Sequence, residues 1–133
     1  MSISKDVIKQ CLISKQREVD EAVIVNRLID FEYNGNYVIV CVRHAGKSYL
    51  FYQRVRQLQA AGVGWDEIFF IDFEDERLAK FQTEDFESIH EVHLELYGKK
   101  PIVFLDEIQN IPRWDNFVCR LADAKYRVYL TRC

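Results

Sequence analysis

Apolar positions along this chain alternate between two spacings. Residues 4 to about 20 predict a helix: Ser4 caps it, Asp6 sits in its first turn, and Ile8, Cys11 and Leu12 share one face. Residues 21–36 are mixed, with Val23-Ile24-Val25 as a candidate short strand and Asn34-Gly35-Asn36 as a turn. Tyr37–Val42 is apolar throughout and predicts a buried strand. A helix follows from Gly46 to about Ala61, burying Phe51, Val55 and Leu58 and ended by Gly62 and Gly64. Glu67–Phe73 predicts a second strand that runs into an acidic stretch. Thr83 is placed to cap a third helix, with Glu84 and Asp85 favoured by its dipole. Phe86, Ile89, His93 and Leu96 line that helix's buried face, and Gly98 stops it. Pro101 precedes a third strand, Ile102–Leu105. Ile111-Pro112 predicts the start of a fourth helix, in which Trp114, Phe117, Val118 and Leu121 keep helical spacing, and Arg127–Thr131 predicts a fourth strand.

Strands alternating with helices imply an α/β fold with a parallel, doubly wound sheet and flanking helices. No linker or repeat divides the chain, so residues 1–133 are expected to form one domain. Its helix and connecting segment span 1–36 and its core spans 37–133.

Composition narrows the class. With 133 residues, 49% hydrophobic and 29% charged, the chain can bury one core. A net charge of −3 gives no nucleic-acid signal. No apolar run approaches the about 20 residues of a membrane span, and the N-terminus lacks the apolar stretch of a signal peptide. The four cysteines form no C-x-x-C pair, so reduced thiols and a cytoplasmic location are expected.

Two segments carry chemistry. Cys41-Val42-Arg43-His44-Ala45-Gly46-Lys47-Ser48 joins a strand to a helix. A phosphate loop needs successive N–H groups aimed inward at a helix N-terminus, a glycine for close approach, a lysine near the outer phosphates and a hydroxyl on Mg²⁺. Gly46, Lys47 and Ser48 supply the last three. The pattern's first glycine is Cys41 here, whose Cβ narrows the backbone's freedom and is expected to weaken the loop. The second segment, Phe104-Leu105-Asp106-Glu107, brings two carboxylates to the end of a buried strand. Asp106 is suited to hold the metal, and Glu107 to take a proton from an attacking water. A chance tripeptide, or acids that merely end a strand, is the plainer reading of either segment alone. Together they make a P-loop ATPase the leading reading, with ATP and Mg²⁺ as cofactors.

Tyr37–Ser48, Phe70–Leu78, Ile102–Trp114 and Val128–Thr131 resemble an AAA-type family of bacterial and archaeal ATPases, most specifically in Leu105-Asp106-Glu107-Ile108-Gln109-Asn110 with Trp114. The family often has two arginines in the loop; Arg43 matches and His44 departs. The resemblance implies phosphate contacts from Arg43, His44, Ala45, Gly46, Lys47 and Ser48, metal contacts from Ser48 and Asp106, and a γ-phosphate-sensing role for Thr131. It further implies a fifth strand, a helical lid and a neighbour's arginine downstream of Cys133. A chain truncated before them is expected to bind nucleotide loosely and turn it over slowly. The implied strand order sets Tyr37–Val42 between the fourth and fifth strands. Its open edge is then covered by Val23-Ile24-Val25 or by a second copy, and self-association is favoured.

Other residues get plainer readings. His90 and His93 lie three apart, but with no third ligand in view a helix surface is preferred to a metal site. Asp72, Glu74, Asp75 and Glu76 could reach the nucleotide edge, though a solvated acidic loop is preferred. The resemblance makes Arg27 a candidate adenine contact. Arg113 and Arg120 read as surface arginines rather than groups acting on a neighbour, and Cys119 as a buried helix residue. Two rivals stand beside the ATPase: a non-catalytic nucleotide-binding or interaction module, and an α/β domain with no ligand.

Overall fold

The computed structural model describes residues 4–22 and 50–132 in full, and the backbone alone for 37–40 and 47–49. Its elements run α1 (Lys5–Glu21), β1 (Tyr37–Val40), α2 (Lys47–Ala60), β2 (Ile68–Asp72), α3 (Phe86–Tyr97), β3 (Ile102–Asp106), α4 (Trp114–Asp123) and β4 (Val128–Arg132). The strands form a four-stranded sheet in the order β1-β4-β3-β2, parallel throughout. β1 lies against the fourth strand, as the resemblance implied. The segment proposed to cover its other side, Val23-Ile24-Val25, lies outside the described residues, as do Arg27 and Cys41–Gly46.

Period-two alternation divides the core between the two faces of the sheet. Phe69 and Ile71 of β2, Val103 and Leu105 of β3, and Val128 and Leu130 of β4 pack with residues of α1, α3 and α4. Ile68 and Phe70, Phe104 and Tyr129 face α2 instead. On the α2 side three rings stack across neighbouring strands. Phe70–Phe104 centroids are 5.5 Å apart and Phe104–Tyr129 centroids 4.5 Å apart. Phe51 of α2 stands edge-on to all three rings at 5.9, 5.3 and 6.2 Å. These offset and edge contacts suit the ring quadrupoles and fasten the first turns of α2 to the sheet.

α1 is capped at its start by the Ser4 hydroxyl, which accepts the Val7 N–H at 3.3 Å. Its far end is met by Arg56 of α2, whose guanidinium donates to the carbonyls of Val19, Asp20 and Ala22. A cation there satisfies terminal carbonyls and complements the helix dipole. Lys5 pairs with Glu91 and Glu95, and Lys9 with Glu95, on α3. Gly98 ends α3 at φ 67, the left-handed position that glycine takes without a Cβ penalty.

Several expectations are corrected. α4 starts at Trp114 and not at Ile111, because Arg113 takes a left-handed φ of 61 and breaks the helical run. Ile111 is instead a buried loop anchor. Thr83 begins a short 3-10 turn before α3, and its hydroxyl donates to the Pro112 carbonyl at 2.7 Å. Cys119 is exposed, since it lies two positions from both Phe117 and Leu121 and so on the opposite side of α4. His93 is fully buried, as its place on the inner face of α3 predicts and contrary to the surface reading of the His90 and His93 pair. No helix among the described residues is long and apolar enough to cross a membrane.

Candidate functional site

In a parallel sheet all strands finish at one edge, so their C-terminal residues share a neighbourhood. At that edge β1 leads into residues 41–46, and α2 opens at Lys47. Lys47 and Ser48 therefore stand in the first turn of α2; their side chains, and the whole of Arg43, His44, Ala45 and Gly46, lie outside the described residues. Two strands away, β3 ends in Asp106 and is followed by Glu107.

Asp106 and Glu107 are each 1% exposed and Thr131 is 0% exposed. Burying such groups is costly unless they are bonded, and these are. The Thr131 hydroxyl donates to Asp106 Oδ1 and accepts the Glu107 N–H at 2.9 Å. One hydroxyl of β4 thus fixes the strand-end carboxylate and the first peptide of the turn after it. Glu107 is held at φ 57 and ψ 43, a left-handed conformation that costs a residue with a Cβ. The Thr131 bond helps to offset that cost. Gln109, in the 3-10 turn Ile108–Asn110, donates its amide Nε2 to Glu107 Oε2. Because a carboxylate only accepts, the Gln109 carbonyl Oε1 must face elsewhere; it is buried and has no partner among the described residues.

The neighbouring strand end is different. Asp72 is the register partner of Asp106. Its Oδ1 accepts the Glu74 N–H at 2.9 Å, and its Oδ2 lies 3.8 Å from Lys15 Nζ. Burial raises the Asp72 pKa above the usual carboxylate range, the Glu74 N–H opposes this, and the charge of Asp106 adds to it. Lys15 also donates to Glu18 at 2.8 Å and to the Tyr52 hydroxyl at 3.1 Å. Burial works against its charge, but the bonds to Glu18 and Tyr52 outweigh burial and raise its pKa. Asp75 pairs with Arg77 at 2.7 Å, while Glu74 and Glu76 are exposed around a cavity of about 540 Å³ also lined by Asn110.

His90 and His93 are not brought to one ligand. His90 Nδ1 meets the Tyr126 hydroxyl, and His93 Nε2 meets the Asp66 carbonyl at 2.8 Å. No group of three or more His, Cys, Asp or Glu side chains suited to a metal occurs among the described residues. Magnesium does not need one: it takes one or two carboxylates and completes its shell with waters and phosphate oxygens. A buried aspartate at a strand end, next to a second in register, fits that demand. Arg120 pairs with Glu87 at 2.6 Å, in keeping with a surface role.

Lys15, Tyr52 and Gln109 were not singled out from sequence. Gln109 lay in view beside Glu107. Lys15 had one visible signal, a lysine set in the apolar stripe Ile8, Cys11, Leu12, Val19.

A family model described as an AAA domain matches residues 33–132. The chain is also similar to an uncharacterized protein of Methanocaldococcus jannaschii, 30% identical over 132 residues. That match covers 97% of this chain and 29% of the relative, so the chain spans under a third of the relative's length. No solved structure matches.

Proposed function

The chain belongs to the AAA-domain family, and from that premise we propose that it binds ATP with Mg²⁺ at the C-terminal edge of the sheet and hydrolyses it there. The observation that carries this reading is one of placement. β1 ends at Val40 and α2 opens at Lys47, and β3 delivers buried Asp106 and Glu107 to the same edge.

In this reading the N–H groups and side chains of residues 43–48 cradle the phosphates, and Lys47 places its charge by the outer ones. Ser48 and Asp106 would hold Mg²⁺. When bound, the ion would neutralise charge on the β and γ phosphates. Glu107 accepts a proton from the attacking water, and Gln109 orients its carboxylate. Thr131 acts by fixing Asp106 and the Glu107 peptide, so any response to the γ-phosphate passes through that pair. The finer form of the fold, a doubly wound P-loop sheet, belongs to the same proposal.

Single-turnover hydrolysis tests the enzyme reading. Glu107→Gln is expected to keep ATP affinity within about twofold and to lower the hydrolysis rate by on the order of 10²–10⁴, the usual worth of a general base. A parent rate no faster than that of the variant would leave nucleotide binding without catalysis.

A further inference from the structure

α1 lies outside the matched residues 33–132, yet it sends a charged group to the carboxylate end of the sheet. The Lys15 side chain is only 10% exposed. Its Nζ lies 2.8 Å from Glu18, 3.1 Å from the Tyr52 hydroxyl and 3.8 Å from Asp72. It also sits 5.5 and 5.6 Å from the ring centroids of Tyr52 and Phe70. Tyr52 belongs to α2, the helix that opens at Lys47, and Asp72 stands in register with Asp106. Lys15 is therefore held by both elements that flank the proposed metal end.

Exposure decides which of its anions matters. Glu18 is the nearest, but its side chain is 60% exposed and water screens its charge. Asp72 is 25% exposed and Asp106 1%, so their fields are screened less. An ammonium beside Asp72 offsets part of the negative potential of the two adjacent strand-end carboxylates. Divalent cations are drawn to such a potential, and phosphate oxygens bring more of it.

Resting on the reading of Asp106 as a metal ligand, we propose that Lys15 is a built-in counter-ion that stops the acidic strand end from holding a divalent cation alone. Magnesium is then taken up only together with nucleotide phosphates. Lys15 touches neither ligand; it acts through Asp72 and sets which form of the metal is accepted.

The test uses the whole chain and Mn²⁺ alone, titrated by calorimetry without nucleotide. Lys15→Met keeps most of the stem and removes the charge. It is expected to bind Mn²⁺ on the order of tenfold tighter than the parent. Lys15→Arg should match the parent, and adding Asp72→Asn to Lys15→Met should cancel the gain. A merely structural lysine would give unchanged or weaker metal binding on removal. Unchanged or weaker Mn²⁺ affinity in a Lys15→Met chain with parental circular dichroism overturns the proposal. If methionine prevents folding, Lys15→Gln, which can still bond to Glu18 and Tyr52, carries the same expectation. MgATP titration of the same chains separates the two readings. A gain in Mn²⁺ affinity without MgATP binding supports the counter-ion role and contradicts the nucleotide site. MgATP binding without the Mn²⁺ gain overturns the counter-ion role alone.

Discussion

The ends of β2 and β3 reach the same edge of the sheet in register, each with an aspartate, and the fold treats them in opposite ways. Asp106 accepts the Thr131 hydroxyl across the sheet and is almost fully buried. Asp72 is a quarter exposed, accepts a local N–H and faces an ammonium. A hydroxyl fixes the direction of a carboxylate and leaves its charge in place. A lysine at 3.8 Å offsets charge and fixes geometry only loosely. The difference suggests a division of labour: an aimed carboxylate where the proposed cation would be held, and beside it one that faces a lysine.

The sharpest way to break this comparison is to neutralise each aspartate separately. Asp106→Asn is expected to lower Mg²⁺-dependent hydrolysis by on the order of 10²–10³, and Asp72→Asn by less than about tenfold. Similar losses in single-turnover assays would show that the two ends share one task.

Thr131 tests the fixed end. Thr131→Val keeps the shape but leaves a buried carboxylate and a buried N–H each short of a partner, at a cost of about 2 kcal/mol. Urea denaturation measures it, and Thr131→Ser should restore most of the loss. A Val variant as stable as the parent would mean that the hydroxyl is not what holds Asp106 and the Glu107 turn.

The smallest expected effect is a control away from both ends. Burial lowers the His93 pKa below its ordinary 6.5, against the pull of the Asp66 carbonyl. In the unfolded chain the ring protonates first as pH falls, so the unfolded state binds more protons. Stability should be flat from this source above 6.5 and decline below it, by at most about 1.4 kcal/mol per pH unit. His93→Gln should remove that slope. If the slope persists in the variant, another group is titrating.

Much of the fold was legible because buried parallel strands read as plain apolar runs. Ile68–Asp72 and Ile102–Asp106 fall within one or two residues of their expected bounds. The aspartate and glutamate at the end of β3 were legible for the same reason: a polar pair after an apolar run marks a strand end. Local backbone exceptions were not legible. Nothing in Ile111-Pro112-Arg113 announces the positive φ at Arg113 that delays α4. The bonding of Thr131 was hidden because it joins strands through register. Lys15 was hidden because a lysine in an apolar stripe reads as one whose head reaches solvent. Its burial depends on Tyr52 and Asp72, which are remote in the chain and meet it only once α1 docks on β2.

The central claim, that this edge of the sheet is a nucleotide site, is tested most directly by titrating MgATP into the chain and into Lys47→Ala by calorimetry. Saturable binding by the parent and none detectable in the variant are expected, with the circular dichroism of the two unchanged. Equal binding by both, or none by the parent at millimolar MgATP, would contradict it.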